Sequence, residues 1–174
     1  MSNRDRSPLF PMLALVAVSV VTACSGGEQG VIQAQPDDPV IVLSEGACPT
    51  TCPVYDMTLH GDGSYVLNGV RFVKTTGVTT GQLGPEAWSG AQSALEDAGF
   101  WAMKPKQTPE TLGICHPDAP TVQVTWRTET GKEKTVVYDA GCGVDKTQKM
   151  IVALRAALNF ERLVWSDQRF DYSN

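Results

Sequence analysis

The chain has 174 residues, with 14 basic and 19 acidic side chains and a formal net charge of −5. An acidic balance without a clustered run of Lys or Arg lacks what neutralising a phosphate backbone requires, so nucleic acid is excluded as a partner. Five cysteines in so short a chain make its redox compartment the first question.

The N-terminus addresses it. MSNRDRSPLFPMLALVAVSVVTACSGG carries Arg4 and Arg6, then an apolar stretch from Leu9 to Val21, then small residues ahead of Cys24. A basic head, a short apolar segment and a small-residue cleavage point form a secretory signal. The apolar stretch is too short for a membrane span, which takes roughly 20 residues. Its ending, Val21-Thr22-Ala23-Cys24, resembles the lipobox of bacterial lipoproteins, in which the Cys thiol is acylated and becomes the first residue of the mature chain. Residues 1–23 are therefore expected to be removed, and Cys24 is expected to carry lipid. At about 0.8 kcal/mol per buried methylene, two or three acyl chains hold a protein on a membrane essentially permanently. The loss of two Arg and one Asp makes the mature chain one charge more acidic.

Residues 24–39, SGGEQGVIQAQPDDP and the Cys before it, are poor in large apolar side chains and read as a flexible tether. Ser25 in place of Asp after the anchor points to the outer membrane, periplasmic side, in a Gram-negative cell. Residues 40–165 are then the length of one domain, and 166–174 a polar tail.

Cys48, Cys52, Cys115 and Cys142 remain once Cys24 is set aside. An even number in an exported chain reads as disulfides, and four cysteines allow three pairings. Cys48 with Cys52 is favoured because it is local, and Cys115 with Cys142 because they flank an expected hairpin. Two other readings stand beside the staple. Cys48 and Cys52 would make an exchange pair, although such pairs use Cys-x-x-Cys at a helix N-terminus and this spacing is longer. Cys115 with His116, or the thiols together, would ligate zinc, although the tight ligand pairs of zinc sites are missing.

From Val54, Tyr55, Met57 and Leu59 alternate with Asp56, Thr58 and His60, which predicts a strand with one face buried and places His60 on the solvated face. GDGS at 61–64 signals a hairpin, and YVLNGVRFVK returns with Gly69 as a bulge or kink. TTGVTTGQLG is a third strand or a loop. A helix is predicted from Pro85 to about residue 98, with Trp88, Ala91, Leu95 and Ala98 on one stripe and Gly99-Phe100 as its left-handed cap. KPKQTPETLGICHPDAP is the most loop-like stretch and is anchored at Cys115. TVQVTWR and TVVYDAGC form a second hairpin with Val122, Val124 and Trp126 inward. DKTQKMIVALRAALNF is an amphipathic helix with Met150, Ile151, Leu154 and Leu158 on its apolar side. The expected fold is an α+β two-layer sandwich in β-β-α-β-β-α order: an antiparallel sheet of four to five strands, two helices on one face, and the other face wet or free for a partner.

The segment CPTTCPVYDMTLHGDGSYVLNGVRFVKTTG, with its C-x-x-x-C-P-x-Y opening, D-G turn, central Gly and V-K-x-x-G ending, resembles a bacterial secreted-protein family known as domain of unknown function 6438. The likeness extends through AGFWAM and more faintly to the second hairpin and last helix, covering most of residues 41–165. Members often carry Gly inside the cysteine pair, where this chain has Thr50. The resemblance implies an exported, frequently lipid-anchored domain and carries no activity.

Residue patterns for catalysis are sparse. Phosphate-loop, nucleophile-elbow, H-E-x-x-H and EF-hand patterns are absent from the sequence. Trp88 and Trp126 fall at core positions, with Trp101 and Trp165 completing the tryptophan set. The sequence therefore points to a non-enzymatic, lipid-anchored envelope domain without a cofactor, held to the membrane through Cys24. Its partner is expected at the uncovered sheet face or the loop from Lys104 to Pro120. The alternative is an envelope enzyme using Cys48 and Cys52 for thiol exchange, or Cys115 and His116 for metal-dependent chemistry.

Overall fold

The computed structural model describes residues 38–113 and 115–165. The signal, Cys24, the tether up to residue 37 and the tail from residue 166 lie outside the described residues. Within them the chain forms β1 (Val40–Glu45), β2 (Val54–His60), β3 (Ser64–Arg71), β4 (Gly77–Gln82), α1 (Pro85–Asp97), β5 (Lys106–Gln107), α2 (Pro109–Leu112), β6 (Thr121–Arg127), β7 (Glu133–Asp139), α3 (Asp145–Ala157) and α4 (Phe160–Leu163). The strands make one sheet in the order β4-β3-β2-β1-β6-β7-β5.

The α+β class is as the sequence predicts, while the count differs: seven strands and four helices stand where four to five strands and two helices were expected. The largest difference is β1, which lies at the sheet centre and pairs antiparallel with both β2 and β6. Val40-Ile41-Val42-Leu43 has no apolar-polar alternation because a strand flanked on both sides is partly buried on both faces, so its period is hidden. β5 departs from an all-antiparallel sheet, running parallel to β7 for two residues. The chain returns from α1 alongside β7 before crossing to β6.

Alternation sorts the sheet into two faces. Ile41 and Leu43 of β1, Tyr55, Met57 and Leu59 of β2, Leu67 of β3, Val122, Val124 and Trp126 of β6, and Val136 and Tyr138 of β7 point to one side. There they join the buried residues of α1, α3 and α4 in one core. α1 begins with Pro85 in its first turn and ends at Gly99, which adopts the left-handed conformation with φ 61° ahead of Phe100. Both ends match the sequence reading. The opposite face carries Val42, Thr58, Val66, Thr80, Thr125 and Thr135 in a single transverse row by cross-strand register. These are half-buried or exposed.

At one end of that face His60 is 6 % exposed, a correction to the solvated histidine expected from alternation. Val40 pairs with His60, and Pro39 packs against Gly61 beside it, so the end of the hairpin is covered by the chain entering β1.

The β2–β3 ladder slips between Val54 and Tyr55: Val54 opposes Arg71 while Tyr55 opposes Gly69, leaving Val70 as the extra residue of a bulge. The expected bulge thus falls beside Gly69. A Cβ on Gly69 would collide with the carbonyl oxygen of Thr75 and lie 2.8 Å from Val73 Cγ2. Gly69→Ala is expected to lower unfolding free energy by about 1–3 kcal/mol, the cost of overpacking, read from the urea midpoint.

Candidate functional site

The helix-facing side of the sheet contains one carboxylate. Glu45, at the end of β1, is 3 % exposed because it continues the inward phase of Ile41 and Leu43. Its oxygens are fully engaged. Arg155 of α3 donates from Nε to Oε1 at 2.8 Å and from Nη2 to Oε2 at 2.6 Å, and the Tyr55 hydroxyl donates to Oε1 at 2.6 Å. The Phe160 ring stacks on the guanidinium at 5.0 Å and on Tyr55 at 5.4 Å. Burial, followed by the Glu45 charge, holds the Tyr55 hydroxyl well above its ordinary pKa of 10.0. Burial opposes the Arg155 charge, but the Glu45 carboxylate outweighs it and raises that pKa. Beside the cluster lies a groove of about 350 Å³ lined by Val152, Arg155, Phe160 and Trp165. With every Glu45 oxygen committed to Arg155 and Tyr55, this cluster is a clamp between sheet and helix.

A larger groove, of about 650 Å³, opens where the free sheet face meets the Pro-rich connection. Lys104, Pro105, Lys106 and Thr111 line it from the connection, and Thr135 and Val137 from β7. Its connection side is held at several points. Lys134, reaching to the helix side, donates to the carbonyls of Trp101 at 2.9 Å and Met103 at 2.6 Å, just before Lys104. The Val137 amide donates to Pro105 O at 2.8 Å. Buried Gln107 accepts from the Thr147 hydroxyl of α3 at 2.7 Å. The Thr111 hydroxyl donates to Lys106 O, and a capping box with Thr108 closes α2. Lys104 and Lys106 are exposed and give the rim positive charge. A fixed groove with an apolar floor and a cationic rim suits an extended, acidic segment.

The cysteines form two disulfides, Cys48–Cys52 and Cys115–Cys142, with Cα atoms 5.7 and 4.0 Å apart. The first closes the β1–β2 connection; the second ties the far end of the Pro-rich connection to the turn after β7. His116 N donates to Gly141 O at 2.8 Å beside this second bridge. Gly141 has to be glycine, because a Cβ there would overlap the His116 carbonyl oxygen. His116 itself is exposed, on the same strap as Cys115. Among the described residues no group of three or more His, Cys, Asp and Glu side chains is placed to hold a metal ion.

The tryptophans do not converge on one surface. Trp88 and Trp126 are buried, Trp101 stacks on Trp126 at 4.9 Å under the Lys132 ammonium, and Trp165 packs edge-on against Phe160. Sequence reasoning missed the pairing of Glu45 with Arg155; it named the sheet face and the Lys104–Pro120 loop separately, but not the groove in which they meet. Glu45 gave no local signal, because the run Val40-Ile41-Val42-Leu43 before it shows no alternation from which an inward phase could be read. The groove had no such signal, because it joins residues from β5, α2 and β7.

The family model described as "Domain of unknown function (DUF6438)" matches residues 39–158. No curated protein matches the chain, and no solved structure does.

Arg155→Ala is expected to destabilise the fold by about 3–5 kcal/mol, because it leaves the buried Glu45 carboxylate without its counter-ion. Loss of the second disulfide in Cys115→Ser/Cys142→Ser is expected to cost about 3.5 kcal/mol on the loop-entropy model. Both are read by urea denaturation. Tyr55 holds its proton more tightly folded than unfolded, so its contribution is complete below about pH 10 and falls as the pH rises above that value. Tyr138 is raised too, so the test is a difference. Relative to the parent chain, Tyr55→Phe should lose about 1.5–3 kcal/mol at neutral pH, the worth of a hydrogen bond to a charged group, and show a shallower alkaline decline.

Proposed function

The chain belongs to the DUF6438 family, and from that premise we propose that it is a non-enzymatic, lipid-anchored cell-envelope domain that binds an extended acidic segment of an envelope protein. The observation that carries this reading is the groove between the free sheet face and the Pro-rich connection, with Lys104 and Lys106 on its rim. Its two walls come from the two places at which the sequence reading expects a partner.

The rest follows from position. Strand residues Thr135 and Val137 supply a floor whose geometry is fixed by the ladder, and Thr125 and Gln123 of β6 continue the same face inward. An extended segment lying along it gains apolar contact with Val137 and charge pairing at the rim, with little ordering cost on the side of this chain. Charged rim residues act chiefly on association rate, so binding through this groove weakens with added salt. Among the described residues no helix is long and apolar enough to cross a membrane. In this proposal attachment rests on Cys24, and the spacer that follows it ends where Asp38 and Pro39 are bonded to Arg127 and Gly61.

Two measurements test it. In bacteria, Cys24→Ser is expected to move the protein out of the membrane fraction and abolish labelling by radiolabelled palmitate; unchanged labelling would remove the anchor. In pull-downs from solubilised envelope, Lys104→Glu/Lys106→Glu is expected to reduce recovery of the partner obtained with the parent chain. Equal recovery, or no partner above background, would count against the groove. Non-reducing intact mass after alkylation separates this reading from thiol exchange, since the native chain should take up no alkyl group.

A further inference from the structure

The rim of the groove carries its charge at a strand period. Lys104 precedes Pro105, and the residue before a proline is held to extended geometry. Along an extended chain, side chains two positions apart share a side and stand about 6.6 Å apart, so Lys104 and Lys106 project together. Gln107, on the other side, is turned inward to Thr147 of α3. The two ammonium groups thus overhang the free face of the sheet, and both lysines are exposed. Neither belongs to an ion pair among the described residues; the nearby Glu110 of α2 feels the charge of Lys106 without pairing with it.

β7 repeats the period beside them. Lys106 is opposite Val137 in parallel register, and the Val137 amide donates to Pro105 O at 2.8 Å. Two residues back the same register brings Lys104 beside Thr135, and all four side chains line the groove. Thr135 and Val137 are opposed in turn by Thr125 and Gln123 of β6. The surface is therefore ruled into two rows, each starting at a lysine, crossing β7 and ending on an uncharged side chain. A segment laid along β7 meets the lysines on one flank and Thr125 and Gln123 on the other.

We propose, on the footing that this groove is the binding site, that it reads an acid-x-acid triplet of an extended polypeptide. One carboxylate pairs with Lys104 and the other with Lys106, while the middle side chain turns toward β6. Extended residues alternate, so carboxylates at i and i+2 leave the segment on the same side and at the same interval as the lysines. Carboxylates at i and i+1, or at i and i+3, leave on opposite sides, and one of them then faces uncharged Thr125 and Gln123. Between the lysines, Pro105 and Val137 offer apolar contact to the body of the triplet, which favours a polypeptide over a phosphate headgroup.

The test uses short fluorescent peptides of one composition, with two Asp set one, two or three positions apart in a Ser, Thr and Val background. They are titrated at low ionic strength against the mature chain carrying Cys24→Ser. By anisotropy, the peptide with Asp two apart is expected to bind about two- to fivefold more tightly than the others, the worth of one exposed charge pair. Lys104→Gln and, separately, Lys106→Gln are expected to erase that preference, since a single ammonium cannot register spacing; both sites are exposed, so the fold is kept. Equal binding of all the peptides, lost in Lys104→Gln/Lys106→Gln, overturns the spacing rule and leaves the groove standing as the site. Binding that the double variant does not weaken, or no binding at all, overturns both. Capture by phosphatidylglycerol vesicles in place of the peptides assigns the lysines to lipid headgroups and overturns the proposal as well.

Discussion

A carboxylate set among leucines and aromatic rings has to be answered by a cation, and Arg155 gives that answer to Glu45 across the sheet–helix interface. Much else in the molecule is positioned by this pair. Glu45 belongs to the central strand, so fixing α3 to it fixes the helix against the middle of the sheet. From the same helix Thr147 reaches Gln107 in β5, and β5 presents Lys106 at the groove. The chain of contacts thus runs from a buried charge to an exposed surface through directed bonds whose geometry tolerates little drift. An apolar pair at those positions would satisfy the core as well.

The disulfides act in a different place and by a different route. Both lie in connections where the ladder does not reach, and they constrain the unfolded chain. Cys115–Cys142 closes a span of 27 residues containing the whole second hairpin. The backbone bond from His116 to Gly141 lies beside it, so covalent and hydrogen-bonded restraints coincide at one end of the Pro-rich connection. At the other end Lys134 holds the carbonyls of Trp101 and Met103. A segment with four prolines and two short elements is thereby shaped from both ends.

Elements whose local chemistry agrees with their final environment were legible in the sequence. β2 alternates cleanly into a Gly-rich turn from which β3 returns, α1 has Pro85 at its start and Gly99 at its end, and the family motif covers the hairpin. Elements defined by distant partners were hidden. β1 shows a plain apolar run because strands flank it on both sides. β4, with two Gly and two Thr among its six residues, reads equally as strand or loop, and its ladder with β3 makes it a strand. β5 and α2 sit among prolines; β5 is made by hydrogen bonds from β7 and α3, and α2 by its capping box and the bond from Thr111 to Lys106. The buried ion pair joins residues 110 positions apart, and no short window of sequence contains both. Arg155 looked like one more polar residue of an amphipathic helix, although it adjoins Leu154 and lies one turn from Ile151.

The central place of β1 sets an order of events as the chain is made. One of its flanks is satisfied early, by the hairpin partner that follows directly. The other flank waits for β6, which arrives some eighty residues later, since Val40 is opposed by Arg127 and Glu45 by Val122. The earliest strand of the described residues therefore keeps one side open until β6 is available. Closing so long a loop is entropically slow, so the domain cannot complete its fold while its second half is still unsynthesised.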